Sequence, residues 1–219
     1  TRNYTKIQGA LNDAIDSQEI IVDPGTYYEA LIWPSANNLV LRGATENGAT
    51  SANVQIDGAN SYRAIYVQYP VNITLRNLTL QRGFVAGYGG AIYLNPGATL
   101  NINTVIVSKN NASTANVYGG AIYAQGAYLI IDNSLFDSNS AYPNNSLISN
   151  TADGGAIAYG TNTIRNSVFK NNTVFSDKGH RGGGAIFDGV NIIENSSFVS
   201  NSVYANFNPF SLGGALYSG

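Results

Sequence analysis

Apolar and polar positions alternate along most of this chain in short bursts of three to five residues, each closed by Gly, Asn or Ser. Such bursts, rich in β-branched residues, predict strands rather than helices. They also recur on a beat. The Ala of a Gly-Gly-Ala step stands at 91, 121, 156, 185 and 215, giving spacings of 30, 35, 29 and 30. A second burst keeps the same phase: VSKN at 107–110, FDSN at 136–139, FKNN at 169–172 and FVSN at 198–201. A third lies between the two, as LNIN, LIID, NTIR and NIIE. Three strands per repeat, with no hairpin turn to pair them inside it, suit one coil of a solenoid in which each strand pairs with its equivalent one coil later.

The pattern predicts an all-β, single-stranded right-handed parallel β-helix of about six three-strand coils, occupying 1–219 as one domain. Residues 1–18 change period: Ile7, Ala10, Leu11, Ala14 and Ile15 share one helical face, with Thr5 as the expected N-cap. This helix is expected to close the apolar end of the coils, whose core and strand edges are otherwise open. Residues 19–83 supply two coils without the glycine pair. The first takes EIIVDPGTYYEALIW and NLVLRGA, and the second VQIDG, AIYVQ and ITLRNLTLQ. Residues 84–219 carry the repeats and break off inside a fifth copy, which predicts a longer protein and an open C-terminal coil able to self-associate.

Stacking turns positions into columns. Ile65, Ile92, Ile122, Ile157, Ile186 and Leu216 form one aliphatic column, expected to face the core. The glycines before it are expected where the coil turns tightly or where backbones approach. Two asparagine columns, Asn77, Thr104, Asn133, Asn166, Asn195 and Asn110, Asn139, Asn172, Asn201, are expected as amide ladders or left-handed turns. Arg76, Asn103, Asp132, Arg165 and Glu194 make a polar row with opposite charges on successive coils.

Composition narrows the functions. A net charge of −2, with 11% charged residues, gives no field to attract nucleic acid. No cysteine is present, and no apolar run is long enough for a membrane helix. No cofactor and no metal site are expected, since the chain has one histidine.

The alternating signatures GGA(I/L/V) and FxxN resemble the repeats of chlamydial polymorphic outer-membrane protein passengers. The opening IQGALNDA…IIVDPGTYYEAL…NLVLRGA is similar to the first coil of the pectin-lyase-like superfamily. The first resemblance covers about residues 76–219 and the second about 5–45. Together they imply an extracellular or cell-surface β-helix, structural or adhesive, with extracellular polysaccharide or a cell-surface glycan as partner. Two alternatives stay open: a subunit of a fibre built by end-to-end stacking, and a polysaccharide lyase or hydrolase.

Candidate residues follow from these readings. Tyr66, Tyr93, Tyr123, Phe187 and Tyr217 share one column, interrupted by Ala158 with Tyr159 beside it, and face outward if the isoleucines face inward. Such rings can stack on sugars, or on one another. Asp153, Asp188, His180 and Arg181, with Asp177 and Lys178, make the one acid–base grouping an enzyme of this shape would use. Sequons at Asn111, Asn144 and Asn171 fall in turns, as glycosylation candidates.

Overall fold

The computed structural model describes residues 2–45, 50–143, 151–176, 181–205 and 211–217, with the main chain alone at 176, 181, 205, 211 and 212. The chain winds into a parallel β-solenoid. Three sheets hold seven strands each, and every strand pairs in parallel with its equivalent from the next coil. Sheet 1 runs from Glu19–Val22 to Val190–Glu194, sheet 2 from Gly25–Tyr27 to Ser197–Val199, and sheet 3 from Leu31–Trp33 to Leu216–Tyr217.

The coils are phased one strand differently from the sequence reading. Glu19–Val22, Gly25–Tyr27 and Leu31–Trp33 already complete the first coil, so Leu39–Gly43 opens the second. The repeat coils also hold more than three strands. A fourth, five-stranded sheet runs from Phe84–Val85 to Ser202–Ala205, and a fifth, four-stranded sheet from Val117–Tyr118 to Ser211–Leu212. These extra strands are mostly two residues long, too short to carry a period that a sequence could reveal.

Alternation within each strand separates core from surface. Leu39, Ile73, Leu100 and Leu129 in sheet 1, Ile56, Leu80, Val107, Phe136 and Phe169 in sheet 2, and Ile65 to Ile186 in sheet 3 are fully buried in one cluster. Phe136, Phe169 and Phe198 stack face to face along the axis, 4.5 and 5.0 Å between centroids. A second, smaller cluster of Ala112, Val117, Ala141, Ala152 and Val174 fills the corner between the two short sheets.

The glycine pair does two separate jobs. The first glycine of each pair, such as Gly119 at φ +68°, adopts a left-handed conformation. The second, in every pair but the last, has no room for a side chain: a Cβ on Gly120 would lie 2.2 Å from the Gly155 carbonyl of the next coil. GGAIY is therefore scaffold.

The two asparagine columns also divide. Asn139 is wholly buried; its Nδ2 donates to Asn172 Oδ1 and to the Val107 carbonyl, each at 2.9 Å, while its Oδ1 accepts from Asn110. Asn110 and Asn172 repeat the pattern, ending on Asn201. The other column forms no such ladder. Asn77, Thr104, Asn133, Asn166 and Asn195 all have φ between 48° and 55°, and Asn133 and Asn166 bond Asp132 instead. They turn the chain.

The N-terminal helix is Ile7–Asn12, and it lies against Leu31–Trp33 and Glu19–Val22 with Ile7 and Leu11 in the main core. Thr5 is not its cap. The flanking residue is Lys6, which makes no side-chain capping bond; Glu29 reaches across from the first coil instead. Its two carboxylate oxygens accept from the Ile7 and Gln8 N–H groups at 3.0 Å, satisfying helix-end donors that would otherwise be orphaned. The helix ends before Ile15, which is 66% exposed.

Candidate functional site

The outward face of sheet 3 carries the aromatic column. Register places Tyr66, Tyr93 and Tyr123 side by side on successive coils, followed by Ala158, Phe187 and Tyr217. The isoleucines alternating with them point into the core, so the rings point away from it. Tyr66–Tyr93 and Tyr93–Tyr123 centroids lie 5.3 Å apart, and Phe187–Tyr217 5.4 Å.

Ala158 does not interrupt the row. Tyr159, the next residue, takes φ +66° and stands its ring edge-on between Tyr123 and Phe187, at 5.8 and 5.7 Å. Six rings thus form a continuous line. Tyr88 and Tyr118, which precede the glycine pairs, add a second layer. Tyr88 stacks on Tyr123 at 5.0 Å, and Tyr118 meets Tyr159 at 5.5 Å. Sequence reasoning missed both, because their turn brings them over a column they do not belong to.

The interplanar angles decide how these rings are used. Two nearly coplanar rings side by side at 5.3 Å would collide through their hydrogens, so the 22° between Tyr93 and Tyr123 means that their faces overlap. The rings spend much of their faces on each other. Tyr123 is left 8% exposed, and burial pushes its phenol up to about 12. Tyr66, at 36%, is the most open ring of the line.

Arg63 closes that open end. Its guanidinium lies 5.5 Å from the Tyr66 centroid and 5.3 Å from that of Tyr93. Nε donates to the Gly89 carbonyl at 2.9 Å and Nη2 to that of Tyr88 at 2.8 Å. Burial lowers its pKa, against the two neighbouring phenols. The spacing of the repeats gave no sign of this residue.

The acid grouping is only partly assembled. Asp153 ends the strand Ala152–Asp153 and is 2% exposed, with no partner for Oδ1. Burial raises its carboxyl to about 7; the Gly182 main chain bonds it and opposes the shift, while the Asp188 charge adds to it. Asp188 sits at φ +57° in the turn of the next coil, where its Oδ1 accepts from the Gly189 N–H at 2.7 Å. The Arg181 backbone is in register with Ala152, and Gly182 with Asp153. His180, Asp177 and Lys178 lie outside the described residues. No group of three or more His, Cys, Asp or Glu side chains converges among the described residues.

Of the sequons, Asn171 is exposed at φ +55° and its Nδ2 donates to Asp137 at 3.2 Å. Asn111 lies in a strand with Oδ1 buried and unpartnered, and Ser113 of the same sequon is buried. Asn144 lies outside the described residues.

No protein-family model matches the chain. Over 89 residues, 41% of its length, it is 38% identical to the probable autotransporter YfaL of Escherichia coli K12. The match spans 6% of that much longer relative. Among solved structures, the pectin methylesterase of Yersinia enterocolitica aligns over 87% of this chain and 66% of its own, with a TM-score of 0.38 and 13% identity.

Proposed function

We propose that this chain is a rod segment of a secreted, surface-displayed passenger protein, structural in its first role and adhesive through the aromatic face of sheet 3. One observation carries the reading. The same strands pair in register from coil to coil without a break, so that the fold extends along one axis and carries its outward face with it. The identity with a probable autotransporter supports the surface setting.

The adhesive contact rests on ring edges and phenol hydroxyls more than on ring faces, because the faces are engaged with each other. Hydroxyl-rich polymers suit that chemistry, and an extracellular polysaccharide or cell-surface glycan is the partner proposed. A second reading, a polysaccharide-cleaving enzyme, draws on the buried carboxyl of Asp153 near Asp188.

One assay separates the two: incubation with a panel of polysaccharides, scoring both retention on the polymer and release of new chain ends. Retention without release, reduced at least fivefold in Tyr66→Ala and Tyr93→Ala, is the expected result. Release of chain ends that disappears in Asp188→Asn transfers the function to the acid pair. Neither retention nor release leaves the rod without a glycan ligand and overturns the adhesive half of the reading.

A further inference from the structure

We propose that Asp153 is a proton-operated latch in the outer aromatic layer: neutral, it lets the layer close over it, and ionised, it drives the strands around it apart to admit water.

The geometry stands on placement. Asp153 is the Tyr118 neighbour in register on sheet 5, so the two side chains leave the same face of adjacent strands. The opposite face holds Val117 and Ala152 in the small apolar cluster, which leaves Tyr118 and Asp153 on the side of the aromatic layer. Its charge reaches the phenols of both Tyr118 and Tyr159. On the other side Gly182 stands opposite it and brings no side chain. The carboxyl is thus buried on the side of the aromatic layer, beside a bare backbone and with one oxygen unsatisfied. A buried polar atom without a partner is costly even when neutral, and more so when charged. Nothing in the rod's stacking requires an acid here: the same column holds Tyr118 and Gly182 on the flanking coils.

Among the described side chains, the titratable groups around it leave the neutral form favoured; the side chains of Lys178, His180 and Arg181 lie outside that set. Asp188 contributes a like charge from the next coil. Tyr118 and Tyr159 have phenols raised by burial, so they stay neutral across the range in which the carboxyl titrates. Thr173–Ser176, packed against Ala152–Asp153, offers no ionisable residue. No cation faces the carboxyl among the described side chains. The acid titrates near pH 7 when closed in, against an ordinary value of 3.8. A group raised in this way leaves the closed state fully stable below about pH 4, and the stability is lost progressively as pH rises from there to about 7. Between about pH 4 and 7 each pH unit multiplies the open population by up to about tenfold, because the opened carboxyl is ionised there and the closed one is not; above that window the gain levels off.

Amide hydrogen exchange of segments 117–123 and 152–159 tests the latch, at about pH 5.5 and pH 8.5 and corrected for intrinsic exchange. In the natural chain, opening is expected to be about tenfold or more populated at the higher pH, with sheet 1 unaffected. Asp153→Asn should abolish the difference. Asp188→Asn, which removes the like charge but keeps an acceptor for the Gly189 N–H, should move the midpoint to lower pH. An equal pH response in Asp153→Asn, or one spread evenly over all sheets, overturns the proposal. Should that variant fail to fold, carboxyl carbon-13 titration of Asp153 in the natural chain decides: a midpoint in the ordinary carboxylate range refutes it.

Discussion

Two columns of asparagine run the length of the repeats, six residues apart, and they do opposite work. The column through Asn139 is chosen for chemistry. A primary amide both donates and accepts, and only such a group can bond its like above and below while also meeting a main-chain carbonyl. The column through Asn133 is chosen for conformation, since its members turn the chain at positive φ and their side chains point to exposed or half-buried positions. One residue type repeated at one period therefore marks two different constraints, and mutation separates them.

The largest effect is expected from Asn139→Ala. It takes the acceptor from the Asn110 main-chain N–H and from one N–H of the Asn110 side-chain amide, and removes a donor from the Val107 carbonyl, all in the interior. At about 1–3 kcal/mol for each buried group left unpaired, the loss should total roughly 3–5 kcal/mol. Denaturant unfolding measures it, and a loss below about 1 kcal/mol would show that the ladder is not a buried amide network.

The turn column is expected to respond with the opposite sign at its odd member. Thr104 is β-branched and held at φ +55°. Left-handed backbone costs an ordinary residue about 1–2 kcal/mol, which asparagine partly avoids. Thr104→Asn should therefore raise stability by about 0.5–1 kcal/mol, seen as a higher melting temperature. An unchanged or lower melting temperature would mean that the Thr104 hydroxyl bond to Asn103 matters more than the backbone does.

The smallest effect belongs to the charge row beside that column. Arg165 donates to Glu194 at 2.7 Å, but both side chains are about half exposed. Arg165→Gln should cost no more than about 0.5 kcal/mol, and less in salt.

The columns explain how much could be read from the chain beforehand. Ile92, Asn139 and Phe169 recur because each must meet its equivalent on the next coil, so period and burial carry the same information. Contacts that do not recur carry no such mark. Glu29 caps a helix 22 residues away, Arg63 bridges to a turn 25 and 26 residues on, and Tyr159 fills a place left by Ala158 through a single reversed dihedral. Of the candidate site, the row of rings was legible as a column. Its second layer, and the face-to-face overlap that makes it partly self-satisfied, depended on turn paths that the spacing does not encode.

The repeat spacing of 30, 35, 29 and 30 has one last consequence. The 35-residue interval adds its extra length between Ser140–Ala141 and Ala152–Asp153, yet Ile122 still faces Ile157 and Leu129 still faces Asn162. The molecule keeps count in coils and not in residues. A loop can therefore be lengthened or exchanged at that corner without disturbing the pitch, and a whole coil is the natural unit by which such a rod is lengthened or shortened over evolutionary time.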